Sequence, residues 1–253
     1  MIKTSTMLSF LGRRRVESLA VVIAGVVAVP FVTAREAAPI GAYTVKVARA
    51  VIGPTSVEQT SDWDLANINN ARVDSWISRF QSDLKQSMAI YLERMDRYDD
   101  MITTKLAERE MPQELIFLAM IESGFDPKAK SPVSASGLWQ FMGATGRQYG
   151  LTVTKKVDER NDPSLATDAA LSYLDDLHER FGSWYLAFAA YNSGEGRVAR
   201  VMKSTLGRAT GTDADFYRIA GRLPKETRDY VPKMIAAARI AKNPARYGFE
   251  PRS

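Results

Sequence analysis

The sequence predicts an all-α domain, and three observations lead there. Apolar side chains recur at helical intervals of three and four through most of the chain after residue 70. No stretch alternates apolar and polar residues at period two. Glycine-rich turns at 136–137, 143–150, 194–196 and 207–211 punctuate the helical windows. The 253 residues are 45% apolar and 25% charged, which excludes a disordered chain. That length suits one domain with a small appendage, at roughly 100–200 residues per domain.

The elements follow in chain order. Arg13-Arg14-Arg15 precede a 14-residue apolar run, Leu19 to Val32, interrupted by Gly25 and Pro30 and followed by Val32-Thr33-Ala34. A basic start, a short apolar stretch and small residues at its end are the parts of a secretory signal. The run is short of the roughly 20 residues of a spanning helix. Residues 1–34 are therefore expected to be a signal peptide, with an uncleaved membrane anchor as the rival. Residues 35–62, with Pro39, Gly41, Gly53 and Pro54, read as a linker or N-terminal arm. Helical spacing is expected near 70–81, 84–93, 95–109, 112–123, 166–181, 183–191 and 225–242. Val73, Trp76, Ile77 and Phe80 share one face, and so do Ala166, Ala170, Leu174, Leu177 and Phe181. Asp162-Pro163 is an N-cap followed by proline at the first helical position, and Asn243-Pro244 ends the last long helix.

Composition excludes several chemistries. The chain has no cysteine and one histidine, which removes disulfides, thiolate metal sites, a cysteine nucleophile, a lipidated cysteine and multi-histidine metal sites. No other metal-ligand spacing is present, and no cofactor is expected. Net charge is +5, yet removing residues 1–34 leaves 30 basic and 28 acidic residues, so no basic stripe supports nucleic-acid binding. Chemistry must come from carboxylates, hydroxyls, amides or aromatics.

One carboxylate is conspicuous. Leu115 to Ile121 is seven apolar residues, followed by Glu122-Ser123-Gly124. A helix apolar all round is buried. Glu122 stacks over Leu118, Ala119 and Leu115 at i+4, i+3 and i+7, and Gly124 suits the position past the helix end. Desolvation and the negative end of the helix dipole both raise the pKa of such a carboxyl. An acid protonated near neutral pH is what a glycosidic leaving group requires. The plainer alternative is a glutamate neutralised by a neighbouring Arg or Lys.

Glu122-Ser123-Gly124-Phe125 is followed by Ser131-Pro132, Ser136-Gly137-Leu138-Trp139-Gln140, then Ala190-Tyr191-Asn192-Ser193-Gly194-Glu195-Gly196-Arg197-Val198, then Glu226-Thr227-Arg228-Asp229-Tyr230-Val231. In order and spacing these resemble the four motifs of the lytic transglycosylase family with a goose-lysozyme-like (SLT) domain. The last two stretches and the lead-in from Val73 to Tyr98 look most like the subgroup of membrane-bound lytic murein transglycosylase D. The resemblance covers roughly residues 63–247 and leaves 248–253 as a tail. It implies a lysozyme-like helical domain, in the wider α+β lysozyme superfamily, that cleaves the MurNAc-(β1,4)-GlcNAc bond of peptidoglycan without water. Glu122 would be the sole acid/base, assisted by the substrate's N-acetyl group.

By the same resemblance, Ser131 would bond the N-acetyl group or a site water, and Gln140 the sugar beside the scissile bond. Tyr191 and Tyr230 would stand near the Glu122 carboxyl, and Asn192 would contact the sugar. Trp139 and Phe141 would line the groove. Glu226 is set aside as structural. His178 reads as a structural histidine, Asp158 to Pro163 as a charged turn, and Asp175-Asp176 as a solvated face. The lipobox cysteine and the LysM modules of several relatives are not in this chain. The expected setting is exported, periplasmic or held to the membrane by the N-terminal segment, as a monomer acting on glycan strands. The competing functions are a goose-type hydrolase, with Asp126 or Asp158 as the second carboxylate, and a non-catalytic wall-binding protein.

Overall fold

The computed structural model describes residues 63–251. The expected signal or anchor and the whole of the linker lie outside the described residues. The helices are α1 (Ala71–Gln81), α2 (Lys85–Met95), α3 (Asp99–Glu108), α4 (Ile116–Ser123), α5 (Gly143–Gln148), α6 (Pro163–Phe181), α7 (Trp184–Ser193), α8 (Glu195–Leu206), α9 (Asp213–Ala220) and α10 (Lys225–Lys242). Single 3₁₀ turns occupy Gln113–Leu115, Glu159–Asn161 and Pro244–Tyr247. Among the described residues extended backbone pairing is limited to isolated bridges, Lys130 with Ser136, Ser136 with Phe141 and Val153 with Asp158. The all-α expectation holds.

Local chemistry explains the boundaries. Asn70 Oδ1 accepts from the backbone N–H of Arg72 at 2.9 Å and starts α1. Asp162 Oδ1 accepts from Leu165 N–H at 2.9 Å, with Pro163 as the first residue of α6. Gly124 and Gly182 close α4 and α6 in left-handed conformation, at φ 58° and 69°. Pro232 sits inside α10 and cannot donate to the Arg228 carbonyl, a local break in the ladder between Tyr230 and Lys233.

The core gathers around α7. Tyr185 to Ala190 are all fully buried, and α7 packs against α6, α8, α9 and α10. α10 also packs on α1 and on α4. The predicted faces are the observed ones: Val73 and Phe80 are buried in α1, and Ala166, Ala170, Leu174, Leu177 and Phe181 in α6. This arrangement carries the C-terminal end of α4 to the first turns of α10, with α1 alongside.

Four details differ from the sequence reading. The predicted 95–109 helix breaks: α2 ends at Met95, a turn follows, and α3 begins at Asp99. The 143–150 stretch contains α5, whose Gly146 is buried and would bring a Cβ only 3.3 Å from Arg160 Cγ, so its glycines serve close packing as well as turning. Glu195 and Gly196 belong to α8, with only Gly194 outside. α9 was not anticipated; its Phe216 and Ile219 are buried one turn apart.

Candidate active site

α4 ends in a carefully held turn. Ser123 Oγ donates to the carbonyl of Leu138 at 2.8 Å, tying the helix end to the 136–141 loop. Gly124 at φ 58° lies flat on Tyr91; a Cβ there would sit 2.0 Å from the Tyr91 ring. The next residue, Phe125, is also left-handed (φ 57°), and a bulky side chain in that region is strained. Burial of Phe125 and its stacking on Tyr98 hold it there. Lys233 Nζ donates to the carbonyl of Ile121 at 2.9 Å.

Glu122 projects from this end into a cavity of about 440 Å³ lined by Trp76, Arg79, Ile121, Glu122, Lys225, Glu226, Asp229, Tyr230 and Lys233. The Tyr230 hydroxyl donates to Glu122 Oε1 at 2.6 Å. The side chain is half-buried, its open side being the cavity, while protein crowds the rest. Burial raises the Glu122 pKa from 4.5 to about 7; the Tyr230 hydrogen bond and the Lys233 charge pull it down, and the Glu226 charge pushes it up. No ion pair within 4.0 Å reaches Glu122 among the described residues. The plainer reading, a glutamate neutralised by a cation, therefore does not hold. The Lys233 ammonium rests on the Ile121 carbonyl at this helix end, and burial is the largest cause of the raised pKa.

Tyr230→Phe removes the bond that favours the carboxylate. The Glu122 titration midpoint, read by NMR of its side-chain carboxyl carbon, should move up by about one pH unit, because a hydrogen bond to a charged group is worth on the order of 1.5–3 kcal/mol. A midpoint unmoved from wild type would show that the bond does not tune the acid.

The other sequence candidates are placed as follows. The Tyr191 hydroxyl donates to the Trp139 carbonyl at 2.7 Å, and burial, with the Glu122 charge adding to it, pushes its pKa well above normal, so it stands near the acid without bonding it. Asn192 Nδ2 donates to Glu226 Oε1 at 3.2 Å, and its Oδ1 accepts from Thr227. Ser131 Oγ accepts from Ala135 N–H at 3.0 Å, within its own loop. Gln140, left-handed at φ 48°, donates through Nε2 to the carbonyls of Gly137 and Ala129. Of the six candidates, only Glu122 and Tyr230 line the cavity itself.

Trp139 and Phe141 do not line it either, which corrects the expected groove wall. Trp139 is fully buried with its Nε1 donating to Thr167 Oγ1 at 3.0 Å, and Phe141 is buried against Tyr173 and Tyr191. Asp158 is held by Arg160 through Nε and Nη2 at 2.8 and 2.7 Å, as the charged-turn reading expected. Asp126 lies 3.8 Å from Arg94. Neither lines the cavity. The carboxylates that do are Glu226 and Asp229, which the sequence reading passed over. The signal was available: Glu226, Asp229, Tyr230 and Lys233 stand at i, i+3, i+4 and i+7 of α10 and share one face. His178 is half-buried and stacks on Trp184 at 4.0 Å, a structural role as expected. Among the described residues no cluster of metal-ligating side chains occurs.

Residues 100–213, which hold Glu122 and the 131–140 and 190–198 motifs, match the family model of the transglycosylase SLT domain. The chain is 45% identical over 156 residues to membrane-bound lytic murein transglycosylase D of Escherichia coli (strain K12), a match that covers 61% of this chain and 34% of that protein. It is 32% identical over 146 residues to the soluble lytic murein transglycosylase of the same organism, covering 55% of this chain and 22% of that one. The crystal structure of the 70 kDa soluble lytic transglycosylase from Escherichia coli aligns with a TM-score of 0.48 and 28% identity, over 61% of this chain and 25% of that chain. The chain thus spans about a third of the length of the first of these relatives. The matched residues include the apolar helix α4 that delivers Glu122; α1 and α10, which complete the cavity, lie outside them.

Proposed function

We propose that this SLT-domain chain is a peptidoglycan lytic transglycosylase that cleaves the MurNAc-(β1,4)-GlcNAc bond and leaves a 1,6-anhydro-MurNAc end. The observation that carries the reading is a carboxyl hydrogen-bonded by Tyr230 and opening into a cavity, with burial pushing its pKa up to about 7. The lytic murein transglycosylases it resembles support the reaction class.

The steps balance without water. Glu122 gives its proton to the glycosidic oxygen as the C1–O bond breaks, assisted by the N-acetyl group of the substrate. The Glu122 carboxylate, held by the Tyr230 hydroxyl and facing the Lys233 charge, then takes the proton of the C6 hydroxyl as O6 bonds to C1. Glu122 ends protonated, ready for the next strand. Ser131, Gln140, Tyr191 and Asn192 are proposed to meet the sugars beyond the cavity, and residues 63–247 to be the catalytic unit. Residues 1–34 are proposed to export the chain to the periplasm or tether it to the membrane, where it acts as a monomer on glycan strands.

A hydrolase is the second reading, and Glu226 favours it as a carboxylate in the same cavity that could activate water. Glu226→Gln separates the two. Under the lytic mechanism the variant keeps releasing anhydro ends from murein, with mass spectrometry showing products one water lighter than reducing ends. Reducing ends from the wild type, lost in Glu226→Gln, would establish the hydrolase.

A further inference from the structure

The wall that α1 and α10 add to the cavity carries an excess of positive charge. Arg79, Lys225 and Lys233 line it. Of the facing carboxylates, Asp229 is already paired, its Oδ1 2.7 Å from Arg72 Nη1. Glu226 offsets one of the three cations, and Glu122 keeps its proton up to near neutrality. No ion pair within 4.0 Å engages Arg79, Lys225 or Lys233 among the described residues. Instead, two of these cations sit by one ring: the Arg79 guanidinium lies 4.3 Å from the Trp76 centroid and Lys233 Nζ 5.6 Å from it. A guanidinium stacked on an aromatic keeps its N–H edge free to grip a planar acceptor. Arg79 and Lys225 are both exposed at the rim, whereas Lys233 is committed to the Ile121 carbonyl.

We infer that this wall is a subsite for a carboxylate carried by the glycan strand, recognised by Arg79 with Lys225 in support. The inference rests on the peptidoglycan reading and adds a determinant of which strands are preferred. The cavity, at about 440 Å³, has room for a sugar and a charged substituent beside Glu122. The carboxylate has two sources: the lactyl group of a MurNAc stripped of its peptide, or the free carboxyls of an attached stem peptide. Planar bidentate pairing with Arg79 suits either.

The test uses the full chain carrying Glu122→Gln, so that strands bind without being cut, and four-sugar MurNAc–GlcNAc strands in four forms. These have free lactyl carboxylates, lactyl methylamides, stem peptides with free carboxyls, or stem peptides with amidated carboxyls. At low salt an anionic form should bind about tenfold tighter than its amidated counterpart. Adding Arg79→Glu should erase that difference and leave the amidated forms within twofold. Preference confined to the first pair assigns the lactyl carboxylate, and confined to the second pair the stem peptide. Equal binding of anionic and amidated strands, or a preference that survives Arg79→Glu, overturns the inference. Wild-type cleavage to anhydro ends with that indifference to charge would sink the subsite alone. Failure of the wild type to cleave any form would sink the peptidoglycan reading and the subsite with it.

Discussion

Glu122→Gln should lower kcat on murein strands by at least about a thousandfold and raise the melting temperature of the same protein. The first effect follows from the roles given to the carboxyl: an amide can neither give a proton to the leaving oxygen nor take one from the C6 hydroxyl, and each transfer is worth on the order of 10²–10⁴ in rate. The second follows from linkage. Glu122 titrates near 4.5 when unfolded and at about 7 in the folded chain. Below pH 4.5 both states hold the proton, and the residue costs nothing. As the pH climbs from 4.5 to 7 the unfolded chain ionises while the folded one does not, so folding stability falls, and above 7 the full cost remains. The variant escapes that cost, about 2 kcal/mol once screening by cavity water is allowed for. Its melting temperature should exceed wild type by roughly 4–8 °C at pH 8 and by little at pH 4. In the active enzyme kcat/KM should fall tenfold per unit above about pH 7, as the acid loses its proton before substrate binds. Equal melting at pH 8 would indicate a solvated, unshifted glutamate.

Gly137→Ala should cost about 3–5 kcal/mol, the largest loss of stability expected from adding one methyl group. Gly137 has φ 84°, and a Cβ there would lie 1.7 Å from the backbone carbonyl oxygen of Arg160. Backbone cannot step aside as a flexible side chain can. Arg160 is itself pinned, with its guanidinium donating to the carbonyls of Ser134 and Phe141 and to Asp158. The loop would have to leave the Arg160 turn, and with it the Ser123–Leu138 bond that steadies the end of α4. The matched control is Gly150→Ala, at φ 89° with no atom within 4 Å of the added carbon, where only the conformational penalty of about 1–2 kcal/mol applies. Thermal unfolding of the pair should separate by roughly 4 °C or more. Equal losses would mean that the Gly137 contact relaxes freely.

The helical plan and the buried carboxyl proposed to be catalytic were legible because both rest on local patterns. The seven apolar residues before Glu122 specify a buried helix, and the acid at its end follows from sequence neighbours alone. α8 and α9 were illegible for the opposite reason: Gly196 and the short, polar α9 dilute periods that burial of Val198, Met202, Phe216 and Ile219 makes plain. Trp139 and Phe141 misled because a motif position does not say which way a side chain points, and the left-handed Gln140 between them turns both inward. The far wall of the cavity could not be read by adjacency, since Trp76 and Arg79 reach Glu122 across more than forty residues and Glu226 across more than a hundred. Only the pairing of α1 with α10, a matter of tertiary packing, brings them together.

The whole account depends on where one proton sits. An NMR titration of the Glu122 side-chain carboxyl carbon, identified by its loss in Glu122→Gln, measures that directly. The predicted midpoint is about 7, moving higher in Tyr230→Phe. A midpoint near 4.5, unchanged by Tyr230→Phe, would contradict a desolvated acid and leave the cavity without its proton donor.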